Sequence, residues 1–220
     1  MTKSSNTISE SQPGVVVENI VLAAEVAFAA RGFDGTAMKA IAQEAQVSQA
    51  LLHYHFGTKE CLYAEVIRSR SKKINQERHE LLDGVDMESS NALYQILNAL
   101  YRPPLGPVGG AAPYARIFAG LIVGRERDEI LVRECYDPTA ERFIDKLQQL
   151  IPDTDRSDAA MSYTLALGSL MAVVGRNGRV ERLMKKSDAA TLLDTEEILK
   201  DLVKFAAGGI SALIKTKASN

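Results

Sequence analysis

Three histidines, two cysteines and a scatter of tyrosines and arginines are the side chains here with chemistry to offer. His53 and His55 stand two apart. At about 100° per residue on a helix they point about 200° away from each other and cannot share a metal ion. His79 is remote from both and lies among charged residues. Cys61 and Cys135 are isolated, which matches neither a disulfide framework nor zinc-ligand spacing. There is no glycine-rich phosphate loop, GxSxG elbow or HExxH helix. The expectation is a non-enzymatic protein with no catalytic residue, no metal site and no cofactor.

A different chemistry is available between Thr36 and Glu60, in TAMKAIAQEAQVSQALLHYHFGTKE. The pattern predicts a helix over Ala37–Ala45, capped by Thr36, with Ile41, Ala42 and Ala45 turned inward. A tight turn at Gln46-Val47-Ser48 leads to a second helix, capped by Ser48 and ending near Phe56. Two short helices joined this closely form a helix-turn-helix, and Ala42 supplies the small side chain that a close crossing requires. Counted from Leu52, the second helix gathers Ser48, Leu52 and Phe56 on its inward arc. Ala50, Leu51, His53 and Tyr54 then cover the opposite arc. An exposed leucine beside an exposed aromatic ring suits a DNA major groove, where apolar groups meet thymine methyls. Gln49 has the amide for pairing with adenine, and Thr36, His53, Tyr54 and Lys59 have donors for phosphate oxygens.

Charge gives this reading little help. The chain carries a formal −2. Its first 66 residues set Lys3, Arg31, Lys39 and Lys59 against Glu10, Glu18, Glu25, Asp34, Glu44, Glu60 and Glu65. A bulk basic field is therefore not available, and any DNA contact must rest on local placement. A helical protein-interaction module that has lost DNA binding is the alternative, favoured by that acidic balance.

The elements that must position these residues are all helical. Hydrophobic residues make up 46% of the 220 and charged residues 25%, with no alternating strand run or Asn-Gly hairpin, so an all-α globular fold is expected. Residues 1–12 read as a disordered tail. A first helix runs from Pro13 to Arg31 with Ile20, Ala24, Ala27 and Phe28 on one face. Gly32 suits a left-handed helix end that lets Phe33 pack back on Phe28. A long helix from Lys59 to about Leu82 directs Leu62, Val66, Ile67, Ile74 and Leu81 inward. Further helices are expected near 88–101, 111–124, 127–150, 156–176 and 195–215, with 177–194 irregular. Pro103-Pro104 should end the first of these, and Asp137-Pro138 should kink or interrupt the third. The N-terminus lacks the apolar core of a signal peptide. The run Val15–Ala30 is interrupted by Glu18, Asn19 and Glu25, so neither export nor a membrane span is expected, and a cytoplasmic location follows by elimination.

In order along the chain, Ala23-Ala24, Phe28, Gly32, Gly35-Thr36, Ile41-Ala42, Val47-Ser48, Leu52-His53-Tyr54-His55-Phe56, Lys59-Glu60 and Leu62 resemble the N-terminal domain of the TetR family of repressors. The resemblance covers Ile20–Val66. It implies a DNA-binding domain over 13–66 whose contacts correspond to Thr36, Lys39, Ser48, Gln49, Ala50, Leu51, His53, Tyr54 and Lys59. Three positions depart from the family pattern. Gln46 stands at a turn position usually held by glycine, His53 replaces a tyrosine, and Glu18 lies where a basic residue is common. The resemblance also implies that 67–220 is a helical ligand-binding and dimerisation domain. The partners would be a near-palindromic operator, a small-molecule effector and a second copy of the chain.

For the dimer, Met161, Leu165 and Gly168 share one helix face, and Ile198, Leu202, Phe205, Ala206, Gly209 and Leu213 another. By residue pattern alone, both faces serve equally as intramolecular core. For the ligand pocket, the polar or aromatic residues on apolar helices are Tyr94, Tyr114, Phe118, Tyr163 and Met171, with Arg116 or Arg176 facing an acidic group.

Overall fold

A computed structural model describes residues 13–122, 125–151, 155–174, 183 and 194–218. Among these residues the secondary structure is ten α-helices and one short 3-10 turn, without strands. The tail 1–12, Arg176 and most of the expected irregular segment 177–194 lie outside the described residues. The chain divides into two compact units, one ending at Val66 and one beginning at Ile67.

The first unit holds α1 (Pro13–Arg31), α2 (Met38–Glu44), α3 (Gln49–Phe56) and the start of α4 (Lys59–Asp83). Its core is Ile20, Ala24 and Phe28 of α1, Ile41 and Ala42 of α2, Leu52 of α3, and Leu62 and Val66 of α4. Helix α1 ends where Gly32 takes φ +67°, with its N–H donating to the Phe28 carbonyl at 2.8 Å. That turn stacks Phe33 on Phe28 at 6.0 Å, and the Tyr63 ring meets both edge-on. Gln46 is the one described non-glycine residue with positive φ, at 56°. A β-carbon is disfavoured there by about 1 kcal/mol relative to glycine.

The second unit continues α4 and adds α5 (Ala92–Leu105), a 3-10 turn (Pro107–Gly109), α6 (Ala111–Ile122), α7 (Glu126–Cys135), α8 (Asp137–Leu150), α9 (Arg156–Val174) and α10 (Thr195–Ala218). Its core gathers Ile96, Leu97 and Leu100 with Phe143, Leu147, Leu170 and Leu202. The helix expected over 127–150 is interrupted at Asp137-Pro138 as expected, giving α7 and α8 divided at Tyr136. On α4, Leu82 is buried and Leu81 only partly so, which moves the end of the expected stripe by one residue.

Helix α5 does not stop at the prolines. It runs through Pro103 and Pro104 to Leu105. Pro104 has no N–H to give the Leu100 carbonyl four residues back, a loss that ordinarily breaks a helix. Here the Arg78 Nε of α4 donates to that carbonyl at 3.1 Å. The donor that Pro104 lacks is thus replaced from a neighbouring helix.

Helix α9 is long and apolar enough, by length and composition, to cross a membrane. Its apolarity has a second source. Ala159, Tyr163, Ala166 and Leu170 enter the core, while Met161 and Leu165 on the other side stay exposed.

Candidate nucleic-acid interface and ligand chamber

Ser48 starts α3 in extended backbone, and its Oγ accepts from the Leu51 N–H at 3.1 Å. Ser48 is exposed, so its expected place on the inward arc is corrected: it caps the helix from outside the core. Leu52 alone of that arc is fully buried, with Phe56 half-buried. Gln49, Ala50, Leu51, His53 and Tyr54 all lie open to solvent, Leu51 at 37% and Tyr54 at 83% exposure. The His53 ring sits 2.7 Å from the Gly57 carbonyl through Nδ1. That nitrogen must carry the proton to donate, which leaves Nε2 directed elsewhere. Lys39, on α2, is exposed.

Two expected phosphate donors are occupied inside the protein. Thr36 is 2% exposed, and its hydroxyl lies 2.7 Å from the Gly32 carbonyl and 3.1 Å from that of Ala27. It neither caps α2, whose N-cap is Ala37, nor offers its hydroxyl outward. It closes the end of α1. The Lys59 Nζ donates to the carbonyls of Phe33 at 3.0 Å and Thr36 at 3.1 Å, and lies 4.4 Å from the Phe33 ring centre. Its charge therefore fastens the loop after α1 to the start of α4, and the helix-turn-helix keeps Lys39 as its outward lysine. The surface offered by α3 is accordingly apolar and aromatic, flanked by amide and imidazole groups, with little charge.

In the second unit, Arg78, Tyr114, Phe118, Tyr136, Met171 and Ile74 line a small chamber of about 20 Å³. The Tyr114 and Tyr136 hydroxyls share a short hydrogen bond. Burial pushes the Tyr136 phenol well above its ordinary range and also lowers Arg78, against the partial charge of the nearby tyrosines. Gly109 also lines the chamber. A β-carbon there would come 2.1 Å from the Pro104 carbonyl oxygen, so the approach of turn and helix requires glycine. Pro104, Ala115 and Val174 also wall a larger cleft of about 540 Å³ that reaches α10.

Of the expected pocket residues, Tyr114, Phe118 and Met171 line the chamber. Tyr163 is buried nearby, tilted against Phe143. Two expectations are corrected. Tyr94 borders an open groove formed with α10, and Arg116 is exposed on α6 and lines neither the chamber nor the cleft. The chamber also contains Arg78 and Tyr136, which sequence reasoning does not single out. The signal for Arg78 is its place four residues from both Ile74 and Leu82, on the buried stripe of α4.

The expected dimer residues separate into two sets. Ile198, Leu202 and Ala206 face inward and belong to the core, which corrects their placement. Met161, Leu165 and Gly168 of α9 are exposed, as are Phe205, Gly209 and Leu213 of α10.

Residues 20–66 match the bacterial regulatory proteins of the tetR family, and residues 98–209 match the tetracyclin repressor-like C-terminal domain. The chain belongs to the tetR family of bacterial transcriptional regulators. Solved structures agree in fold. A TetR-family regulator from Bordetella parapertussis 12822 has a TM-score of 0.65 at 16% identity, covering 87% of this chain and 93% of that one. A TetR-like regulator from Rhodococcus sp. RHA1 has 0.62 at 21%, covering 92% and 99%. The fatty acid degradation regulator FadR from Bacillus halodurans has 0.61 at 16%, covering 87% and 98%. No curated protein matches the chain.

Proposed function

We propose that this regulator is a cytoplasmic homodimeric repressor that binds a near-palindromic operator through α3 and is released by a small-molecule inducer. The observation that carries the reading is the open face of α3. Leu51 and Tyr54 are left in solvent beside Gln49 and His53, on a helix whose opposite side is fixed in the core by Leu52. Such a face gains little in water and finds thymine methyls, base edges and backbone in a major groove.

The second copy joins through the exposed α9 and α10 residues, Met161, Leu165, Phe205 and Leu213, with Gly168 and Gly209 allowing close approach. This pairing sets two α3 helices at the spacing of two half-sites. The inducer acts in the second unit. It favours a state in which α4, the covalent link between the units, alters that spacing and weakens operator binding.

The experiment is operator selection from random DNA, followed by affinity measurement over a salt series. A repressor gives a near-palindromic consensus and affinity that falls steeply with salt. The acidic balance of the first unit favours the second reading, an interaction module without DNA binding, for which selection returns no consensus.

A further inference from the structure

We propose that the ligand taken by the second unit is a monoanionic amphiphile, typically a carboxylic acid, whose head group pairs with Arg78 and whose apolar body lies in the adjoining cleft. This rests on the ligand-responsive reading above and names the chemistry of the ligand.

Arg78 is 1% exposed and lies in the middle of the unit. The guanidinium is a permanent cation with five N–H donors. Among the described residues its hydrogen bond is the one from Nε to the Leu100 carbonyl, and no carboxylate there pairs with it. The Nη groups are the remaining donors. An isolated buried cation carries a desolvation cost that proteins normally offset with a paired anion. Here the surroundings are phenol, phenyl, thioether and alkyl groups, and the side chain lines the chamber itself.

A carboxylate is the natural complement. Its two oxygens match the planar fork of the guanidinium. The Tyr114 and Tyr136 rings wall the same space, and one of their two hydroxyls donates to the other. The chamber, at about 20 Å³, has room for little more than one water, so only a small head group belongs in it. The body lies in the cleft of about 540 Å³, which Pro104, Ala115 and Val174 line in common with the chamber. Leu105, Pro107 and Leu199 give that cleft apolar surface. Its acidic members are Glu77 and Glu196, the latter held by Arg102 through two hydrogen bonds of 2.8 and 3.1 Å. With Glu196 neutralised by Arg102, Glu77 is the carboxylate of the cleft that disfavours a second negative charge on the body.

Arg78 also has a structural task, because it supplies the donor that Pro104 lacks. Removing Arg78 alone would confuse the two roles. Pro104→Ala restores a backbone N–H to the Leu100 carbonyl, so R78M/P104A removes the cation while repairing the helix.

Titration calorimetry on the full chain decides the proposal, with octanoate and 4-phenylbutanoate set against octan-1-ol and 4-phenylbutan-1-ol. The expected result is that wild type binds at least one acid about tenfold or more tighter than its alcohol. In R78M/P104A that preference disappears while alcohol binding stays. Equal binding of acid and alcohol, a preference that persists in the double variant, or no acid binding at millimolar concentration overturns it. The wild-type comparison holds even if the double variant fails to fold. Operator affinity is read separately with the acid bound. Arg78-dependent binding without operator release supports the site and defeats the inducer reading.

Discussion

Tyr54 and Lys59 lie five residues apart and show how differently two expected DNA contacts can be used. The Tyr54 ring is 83% exposed and rests only edge-on against His55, so Tyr54→Ala should leave the thermal midpoint within about 2 °C of wild type. Operator affinity should fall about tenfold or more in a mobility-shift assay. Unfolding of this variant would contradict an outward-facing Tyr54 on α3. Lys59→Met has the opposite profile, because it removes the ammonium donor to the Thr36 carbonyl and leaves the Phe33 carbonyl only the Thr36 N–H at 3.3 Å. A loss of about 1–3 kcal/mol is expected by urea unfolding. Gln46→Gly should add about 1 kcal/mol by relieving the left-handed β-carbon, and melting should show it. The exposure of Tyr54 was legible because helical periodicity from Leu52 decides it locally. The commitment of Lys59 was not, since its partners lie 26 and 23 residues earlier in the chain.

At the scale of elements, local signals served where a helix end is decided by the chain beside it. Gly32 ending α1 and Ser48 capping α3 are of that kind. Helix α5 runs past its prolines with its replacement donor taken from α4, and nothing within 92–105 announces Arg78. The packing of α4 on α8 makes a pH prediction. The His79 Nε2 lies 2.9 Å from the Thr139 hydroxyl. Burial, followed by the Arg142 charge, holds the imidazole below its ordinary value of 6.5. The unfolded chain therefore takes up this proton before the folded one does. Its contribution is fully present above the unfolded value and is lost as pH falls through 6.5 toward the lower folded value. Melting between pH 7.5 and 5.5 should show a falling midpoint, and His79→Gln should flatten part of that fall. An unchanged slope in the variant would assign the effect to other groups.

For the whole molecule, the exposed faces of α9 and α10 matter most. Apolar periodicity identified both helices but could not divide one face from the other, because each helix is apolar on two sides. Burial makes the division, with Ile198, Leu202 and Ala206 inside and Phe205 outside at 75% exposure. Phe205→Glu places a charge at the proposed two-fold contact. It should give a monomer by sedimentation at micromolar concentration, with the helical content retained and operator binding lost. A dimer that persists would move the interface elsewhere. Whether the open face of α3 reads DNA is decided by the salt dependence of binding to the selected operator, measured for wild type and Tyr54→Ala side by side. Log affinity should fall against log salt with a slope of about −2 or steeper in both proteins, with Tyr54→Ala weaker throughout. A flat salt response, or equal affinity of the two proteins for the operator, would contradict DNA reading by α3.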